Sequence, residues 1–247
     1  MRSGGSSRAP DAAEAAARLA EAGCDTPRLD AELLLREGAD LDRRAAREPV
    51  AYILGRKGFR WIELFVDRRV LIPRPDTETL VEVAVELVPE GGRVHDVGTG
   101  SGAVALALKQ ERPDLAVSGS DASADAVDVA RVNADRLGLD VAFSVAHGLP
   151  AGGPWDLVVA NLPYVREAEW DALEPEIRLY EPRDALVSGA DGLDAIRALV
   201  ASAPRGQLLA LEHAPDQGEA VRALLHDSRT VRDLGGRERV TVGVARG

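Results

Sequence analysis

The sequence predicts an α/β fold with a mostly parallel sheet, because short apolar runs alternate with segments of helical periodicity beyond Leu71. Strands separated by helices form βαβ units whose strands pair in parallel. A glycine-rich turn and two polar residues follow strands of this series, where open α/β sheets place their ligand crevice. We therefore expect a seven-stranded, Rossmann-like domain, preceded by a small helical N-terminal domain.

The elements of this domain follow from periodicity and from turn residues. Strands are predicted at residues 93–97, 116–120, 141–145, 155–160, 207–212, 230–234 and 239–245. Helices are predicted at residues 77–88, 103–112, 124–137, 191–203 and 217–225. The first of these helices has Asp76 or Thr77 as its expected N-cap.

The segment before the sheet divides into three parts by composition. Residues 1–10 are rich in Gly, Ser and Arg and predict a disordered tail. Residues 11–47 are rich in Ala, Leu, Glu and Arg, which favours helices, and residues 48–70 predict a linking hairpin. The predicted division is a tail (1–10), a helical domain (11–47), a linking hairpin (48–70) and the sheet domain (71–247).

Composition limits the kind of protein and the kind of partner. The chain has 247 residues, a net charge of −11 and a pI of about 4.9, which disfavours a broad nucleic-acid-binding face. Cys24 is the single cysteine, so no intrachain disulfide is possible. No apolar run is long enough for a membrane span, and the first residues lack the apolar core of a secretion signal. We expect a cytoplasmic protein, most simply a monomer, with no membrane and no nucleic-acid partner.

A glycine-rich turn joins the predicted strand 93–97 to the helix that follows it. Its residues are Asp96, Val97, Gly98, Thr99, Gly100, Ser101 and Gly102. Glycines let a backbone turn tightly and approach a ligand closely. The spacing is G-x-G-x-G, which differs from the dinucleotide fingerprint, and no P-loop Lys follows it. Asp96 is placed to face the amino-acid end of a cofactor.

Asp121 closes the next predicted strand, about twenty residues beyond the glycines, where an acid can accept both hydroxyls of a ribose. A glycine loop and a ribose acid without a phosphate-binding signature point to S-adenosylmethionine. The alternative is a doubly wound domain with an incidental glycine turn.

The run Asn161-Leu162-Pro163-Tyr164 follows the apolar strand that ends at Ala160. The Asn side chain carries a donor and an acceptor, so it can orient a planar NH₂ group. Pro163 restricts Leu162 to an extended backbone, which fixes the direction of the Leu162 carbonyl. Tyr164 adds a ring that can stack on a planar substrate. The alternative is an ordinary strand-to-loop turn.

Together these motifs resemble the HemK-type N5-glutamine methyltransferases that modify peptide-chain release factors, from about residue 28 to the C-terminus. The resemblance is carried by residues 71–78 (Leu-Ile-Pro-Arg-Pro-Asp-Thr-Glu), 98–102 and 161–164, with support from residues 48–55 and 235–240. It implies a class I methyltransferase domain, S-adenosylmethionine as cofactor, and methyl transfer to the amide nitrogen of the Gln in a Gly-Gly-Gln loop. It also implies that the helical N-terminal domain docks the release factor.

The resemblance further assigns roles to individual residues. Asn161 and the Leu162 carbonyl would accept the two amide N–H bonds of the substrate, Pro163 would constrain that carbonyl, and Tyr164 would pack on the amide plane. Asn161 would also face the cofactor, and Arg74, with Glu78, would shape the pocket entrance. No metal is required.

Three departures from the family pattern bear on the substrate. Leu162 replaces the first Pro of the usual Asn-Pro-Pro-Tyr, and Ser144 with Val145 stands where an acid and an apolar residue usually contact the adenine. The N-terminal domain looks shortened between Arg36 and Arg43. Methylation of a ribosomal-protein glutamine, methylation of a nucleic-acid adenine, and a non-catalytic S-adenosylmethionine-binding protein are the alternatives. His147, Glu212 and His213 are expected to lie near the site without a catalytic role.

Overall fold

The computed structural model describes residues 11–246, and these residues form two compact units. Of these residues, 11–55 and Glu174–Tyr180 form the helical unit, and Arg56–Leu173 and 181–246 form the sheet unit. The predicted tail at residues 1–10 lies outside the described residues. Among residues 11–246, none of the helices is long and apolar enough to cross a membrane.

Within residues 11–55 and 174–180 the helical unit has five helices. They are α1 (Ala12–Glu21), α2 (Pro27–Arg36), α3 (Leu41–Ala45), α4 (Val50–Leu54) and α8 (Pro175–Tyr180). Helix α1 begins at Asp11, whose carboxylate accepts the N–H groups of Ala13 and Glu14. Cys24 is 6% exposed and packs with Leu19 and other small apolar residues, so it acts as a small core residue.

A buried ion-pair network binds the returning segment Glu174–Tyr180 to the earlier helices of this unit. Arg44 is 5% exposed, and its guanidinium lies 2.7 Å from Asp30 Oδ2 and 2.9 Å from Glu176 Oε1. Arg47 lies 2.5 Å from Glu176 Oε2. Helix α8 was not predicted from the sequence, because its six residues have no buried position and carry no apolar stripe. Residues 48–70 were predicted as a linking hairpin, and the structure has α4 before the hairpin.

The sheet unit opens with a hairpin of β1 (Arg56–Phe59) and β2 (Ile62–Phe65), which pair antiparallel. The main sheet has seven strands. They are β3 (Arg93–Val97), β4 (Ala116–Asp121), β5 (Ala142–Val145), β6 (Leu157–Ala160), β7 (Leu208–Glu212), β8 (Leu225–Arg232) and β9 (Glu238–Ala245). The helices of this unit are α5 (Glu78–Leu87), α6 (Ala103–Glu111), α7 (Ala124–Leu137), α9 (Asp194–Ser202) and α10 (Gly218–Leu224).

The strand order is β5-β4-β3-β6-β7-β9-β8, with only the last two pairings antiparallel. Strand β3 pairs with β4 on one side and with β6 on the other, so the chain reverses its direction of winding between β3 and β6. A ligand crevice is expected at the carboxyl ends of strands at such a point. The register pairs Val97 with Ala160, which brings the glycine turn after β3 next to Asn161 after β6.

The predicted α/β fold and its seven strands are confirmed, and strand ends differ from the prediction by a few residues. All four residues of β6 are at most 1% exposed, as expected for a central parallel strand covered on both faces. Side chains of β6, β7, α9 and α10 share one apolar core. Its fully buried Leu and Ile side chains each contribute about 2 kcal/mol.

Thr77 occupies the N-cap position of α5, as one of the two predicted alternatives, but it does not cap the helix through its side chain. Pro75–Thr77 form a single 3₁₀ turn that runs directly into α5, and neither Asp76 nor Thr77 makes a side-chain cap bond. The Thr77 hydroxyl instead contacts Asn161, and the Asp76 carboxylate pairs with Arg239. Tertiary partners at the crevice therefore replace the local cap.

Candidate active site

The glycine turn after β3 is held against the next strand by its own backbone. The N–H groups of Gly98 and Thr99 donate to the Ser120 carbonyl oxygen at 2.8 and 2.9 Å, and Gly102 N–H donates to the Thr99 carbonyl oxygen at 2.8 Å. Gly98, Gly100 and Gly102 have φ of 74°, 55° and 83°, a region that favours glycine. The turn therefore requires glycine for its backbone conformation.

The first two of these glycines also differ in what surrounds them. A Cβ on Gly98 would lie 2.8 Å from Leu162 Cδ2, whereas a Cβ on Gly100 would meet no atom within 4 Å. Gly98 is thus the point where the turn contacts the 161–164 segment. Gly100 borders open space at the crevice, which leaves room for a ligand to approach its backbone.

Asp96 lies beneath the turn with only 2% of its surface exposed. Thr99 Oγ1 donates to Asp96 Oδ2 at 2.7 Å. Burial raises the pKa of Asp96 to about 7, against the opposing effects of that hydrogen bond and of one from the backbone of Ala105. Asp96 therefore orders the turn through Thr99 and is also one of the residues that line the crevice.

Asp121 ends β4 beside the turn, at the place where a ribose acid was predicted. Its Oδ2 accepts Gly100 N–H at 2.9 Å, and its Oδ1 accepts Ser123 N–H at 2.9 Å. A carboxylate oxygen has two lone-pair directions, so each oxygen can accept a further hydrogen bond. These contacts fix the carboxylate and leave acceptor capacity for two hydroxyls.

Ser144 and Val145 lie on the edge strand β5, paired with Ser120 and Asp121. The side chains of both residues are exposed, Val145 by 52%. The structure thus places them next to the ribose acid, outside the enclosed part of the crevice.

The segment 161–164 starts at the carboxyl end of β6, and all four of its residues are partly buried. Asn161 Nδ2 donates to Thr77 Oγ1 at 2.9 Å. Leu162 packs against the apolar core and fills the space next to Gly98, which accounts for an aliphatic side chain at this position. Pro163 follows and restricts the Leu162 backbone.

Tyr164 is fixed at both its backbone and its hydroxyl. Its carbonyl oxygen accepts Gln217 Nε2 at 2.9 Å, and its hydroxyl lies 3.5 Å from Glu212 Oε1. Burial, with a smaller contribution from the Glu212 charge, raises the pKa of Tyr164 to about 12. The phenol is therefore neutral, and the Tyr164 backbone is held by Gln217 at the end of the 161–164 segment.

Arg74 and Glu78 have different surroundings. The Arg74 guanidinium lies 2.5 Å from Glu181 Oε1, while Glu181 Oε2 accepts Ile72 N–H at 3.0 Å. This pair fixes the backbone of the 71–78 segment at the crevice, where Arg74 is a lining residue. Glu78 accepts Arg60 N–H at 3.3 Å, so it contacts the hairpin turn.

The two histidines lie outside the crevice. His147 is exposed in the loop after β5. His213 is 0% exposed, and its ring nitrogens lie 2.8 Å from the Ala214 carbonyl oxygen and from Thr241 Oγ1. Burial lowers the pKa of His213, so the ring is a neutral element of the sheet edge.

Three contacts at the site were not predicted from the sequence: Thr77 with Asn161, Glu181 with Arg74, and Asn133 with the glycine turn. Asn133 is 0% exposed, and its Nδ2 donates to the Phe65 and Ser101 carbonyl oxygens at 2.9 Å each. Its position on the apolar face of α7 was the available signal, because a buried Asn must find partners. The other two pairs are separated by 84 and 107 residues and leave no local signal.

Arg74, Asp96, the glycine turn and Asn161 line one crevice at the carboxyl edge of the sheet. The other predicted site residues are not part of its lining, namely Asp121, Ser144, Val145, Leu162, Pro163 and Tyr164. The lining comprises Leu71, Pro73, Arg74, Thr77, Asp96, Gly98, Thr99, Gly100, Ser101, Ala103, Val104 and Asn161. An adenosyl cofactor is suited by the open backbone at Gly100 and by the partly exposed carboxylate of Asp121. A planar amide is suited by the polar side chain of Asn161. The residues present therefore fit S-adenosylmethionine.

Comparisons with known proteins agree with this geometry. Residues 75–178 match the methyltransferase small domain family model. The hMettl16 catalytic domain in complex with MAT2A 3'UTR hairpin 6 covers 72% of this chain and 73% of its own, with a TM-score of 0.56 at 12% identity. A Pyrococcus furiosus methyltransferase covers 74% and 89%, with a TM-score of 0.50 at 13% identity. At these identities the structural likeness shows the fold, which is the Rossmann-like methyltransferase fold.

Curated relatives match nearly the whole chain. The release factor glutamine methyltransferase of Caulobacter vibrioides is 40% identical over 92% of this chain and 92% of its own length. The Xylella fastidiosa (strain Temecula1) enzyme of that name is 45% identical over 82% and 78%, and the Neisseria gonorrhoeae enzyme 44% identical over 85% and 82%. The chain therefore belongs to the release factor glutamine methyltransferase family.

Proposed function

We propose that this protein transfers a methyl group from S-adenosylmethionine to the side-chain amide nitrogen of the Gln in the Gly-Gly-Gln motif of peptide-chain release factors. The observation that carries this proposal is the orientation of Asn161 at the carboxyl end of β6. Its Nδ2 is used in the bond to Thr77, so Oδ1 remains as the acceptor. An acceptor is what a substrate N–H requires.

The enzyme is an S-adenosylmethionine-dependent methyltransferase, as its family is. The cofactor supplies an electrophilic methyl group on a sulfonium. We assign its contacts to Asp96, the turn Gly98–Gly102, Asp121, Asn161 and the Ser144-Val145 edge. Within this set Asp121 holds the ribose and Gly100 gives backbone access.

An amide nitrogen is a poor nucleophile because its lone pair is delocalised, so orientation must supply much of the rate. Asn161 Oδ1 and the Leu162 carbonyl accept the two amide N–H bonds, and Pro163 limits the directions that this carbonyl can take. Tyr164 packs on the amide plane. Arg74, held by Glu181, forms the side of the substrate entrance. After transfer the product loses its extra proton to water, so no strong base is needed.

The helical unit is the proposed docking site for the release factor, and we assign residues 11–47 to it, with the sheet unit as the catalytic domain. The segment Glu174–Tyr180 belongs to this unit and is packed into it through Glu176. We propose a monomer that works in the cytoplasm and has no direct nucleic-acid partner. The net charge of −11 supports the last point.

A ribosomal-protein glutamine is the second candidate substrate, because the same clamp accepts any side-chain amide. The test is a methyl-transfer assay with labelled S-adenosylmethionine and three acceptors: unmodified release factor, unmodified ribosomal proteins, and ribosomal RNA. We expect label on the release factor, and none when its motif Gln is changed to Ala. Label on the RNA or on ribosomal proteins alone would contradict the proposal.

A further inference from the structure

A buried glutamine in the loop after β7 is hydrogen-bonded to the segment that follows β6 and to the segment that precedes α9. Gln217 is 2% exposed and occupies the N-cap position of α10, where its side chain makes no cap bond. Its Oε1 accepts Ala214 N–H at 2.9 Å. Its Nε2 donates to the carbonyl oxygens of Tyr164 at 2.9 Å and of Asp191 at 3.1 Å. The amide therefore uses its acceptor and both of its hydrogens away from its own helix.

These partners allow one orientation of the Gln217 amide. Ala214 presents an N–H, whereas Tyr164 and Asp191 present carbonyl oxygens. Rotation of the amide by half a turn would set Nε2 against a donor and Oε1 against two acceptors, which leaves buried polar groups unsatisfied. Gln217 therefore holds the Tyr164 backbone beside the segment that precedes α9.

The Tyr164 carbonyl is closely packed as well as hydrogen-bonded. Gly192 has φ of 79°, and a Cβ there would overlap the Tyr164 carbonyl oxygen and lie 2.6 Å from Gln217 Nε2. The next residue along the chain is also held, because Val165 N–H donates to the Leu186 carbonyl oxygen at 2.8 Å. The absence of a side chain at position 192 is thus what lets Gln217 and the Tyr164 carbonyl meet.

The bond from Gln217 is the stronger of the two hydrogen bonds that Tyr164 makes. The Tyr164 hydroxyl lies 3.5 Å from Glu212 Oε1, which is long for an O–H···O bond. The 2.9 Å from Gln217 Nε2 to the Tyr164 carbonyl oxygen is the usual length of an N–H···O bond. The position of Tyr164 therefore depends more on its backbone contact than on its hydroxyl.

We propose that Gln217 is a positioning residue which, together with Gly192, holds Tyr164 in place for the substrate amide. This inference rests on the proposed function for its catalytic consequence, since Tyr164 packs there on the plane of the amide. The placement of Tyr164 in the free enzyme does not depend on that function. Without the bond the ring would leave the amide plane, and methyl transfer would slow because the amide would lose its orientation.

Two substitutions disturb this contact in different ways. Gln217→Glu keeps the side-chain shape and an acceptor for Ala214 N–H, but an ionised carboxylate has no hydrogen to donate to Tyr164 and Asp191. Gly192→Ala places a methyl group against the Tyr164 carbonyl oxygen.

Each substitution has a matched control. Gly206→Ala is the control for Gly192→Ala, because Gly206 also has a positive φ, of 88°, and a Cβ there would meet no atom within 4 Å. Gln110→Glu, at an exposed position of α6, is the control for the charge that Gln217→Glu adds.

Fluorine NMR of the free enzyme measures the placement of Tyr164. The chain has three tyrosines, at positions 52, 164 and 180, so fluorotyrosine labelling gives three ¹⁹F signals, and Tyr164→Phe assigns the one of interest. Tyr52 and Tyr180 belong to the helical unit and serve as internal references. We expect Gln217→Glu and Gly192→Ala to shift or broaden the Tyr164 signal alone, and the two control variants to leave it unchanged. A Tyr164 signal that is unchanged in Gln217→Glu or in Gly192→Ala would overturn the inference.

Methyl-transfer kinetics measure the catalytic consequence separately. Gln217→Glu should lower kcat about tenfold or more, the scale of one lost hydrogen bond, with KM for the release factor and the Kd for S-adenosylmethionine unchanged. In a Tyr164→Ala background the same substitution should cause less than about twofold further loss, because a residue that acts through Tyr164 has nothing left to position.

Two kinetic outcomes would contradict the positioning role. They are losses in kcat that multiply in the double variant, and a cofactor affinity that falls as far as kcat does. If the Tyr164 signal responds as expected but the unmodified enzyme methylates no release factor, the proposed function fails and the placement of Tyr164 by Gln217 stands.

Discussion

Replacing Glu212 by Gln should stabilise the protein, and the gain should grow with pH. Glu212 is fully buried at the end of β7, and burial raises its pKa from 4.5 to about 7. A carboxyl with a raised folded pKa holds its proton more tightly in the native state. Protonated Glu212 therefore contributes to the free energy of unfolding, and this contribution is lost as the pH rises from the unfolded pKa through the folded pKa.

The magnitude follows from the size of that shift. A change from 4.5 to about 7 corresponds to about 3 kcal/mol once the group is fully ionised. About 2 kcal/mol of this cost accrues between pH 5.5 and 8.5. The lowest pH of the comparison is kept above the pI of about 4.9, because protein solubility falls near the pI. Gln has nearly the same shape and no charge, so it removes the pH-dependent cost.

The assay is urea unfolding of the unmodified and Glu212→Gln proteins at both pH values. The difference in unfolding free energy should favour the variant by about 2 kcal/mol more at the higher pH. Asp96 and the other titrating groups are present in both proteins and cancel. Glu219→Gln, at an exposed Glu on α10, is the control and should show no such dependence. A Glu212→Gln difference that is constant with pH, or that shrinks as pH rises, would show that Glu212 has no raised pKa in the folded protein.

Three further predictions concern the glycine turn, its support and the helical unit. Gly98→Ala should destabilise the fold and disturb Leu162, whereas Gly100→Ala has open space at its Cβ and should retain more stability but lose S-adenosylmethionine affinity. Thermal melts measure the stability of each variant and calorimetry measures its cofactor affinity. Equal effects of the two substitutions would contradict the assignment. Asn133→Ala should cost about 2–4 kcal/mol in urea unfolding and weaken cofactor binding, because the turn loses its side-chain support; an unchanged cofactor Kd would count against this. Arg44→Met should cost about 3 kcal/mol by leaving the buried Asp30 carboxylate without its cation, while Glu176 keeps Arg47, and should raise KM for the release factor with the cofactor Kd constant; an unchanged KM would argue against docking by the helical unit.

The sheet was predictable from sequence because its strands are either continuously apolar or clearly bounded by turn residues. Strand β6 is the plainest case, with four buried residues directly before Asn161. The placement of the glycine turn beside Asn161 followed from the rule for parallel strand ends, and the pairing of Val97 with Ala160 confirms it. The helices of the helical unit were harder to place, since α3 and α4 have only five residues each.

The parts that the sequence did not predict are partners distant along the chain. Thr77 looked like a helix cap, because a Thr before a helical pattern favours that role locally. Its hydroxyl is instead used by a side chain 84 residues away. Glu212 was predicted only to line the site, although its full burial gives it a stronger electrostatic effect than an exposed carboxylate would have. Local patterns do not reveal such contacts, because the fold creates them.

A single-turnover experiment tests whether Asn161 orients the substrate amide. Unmodified enzyme and Asn161→Ala would be mixed with S-adenosylmethionine and release factor, and the methylated peptide would be mapped by mass spectrometry. We predict one methyl group, on the Gln of the Gly-Gly-Gln motif, and a rate at least about a hundredfold lower in Asn161→Ala with cofactor binding retained. Methylation at another residue, or an Asn161→Ala rate equal to that of the unmodified enzyme, would contradict the account.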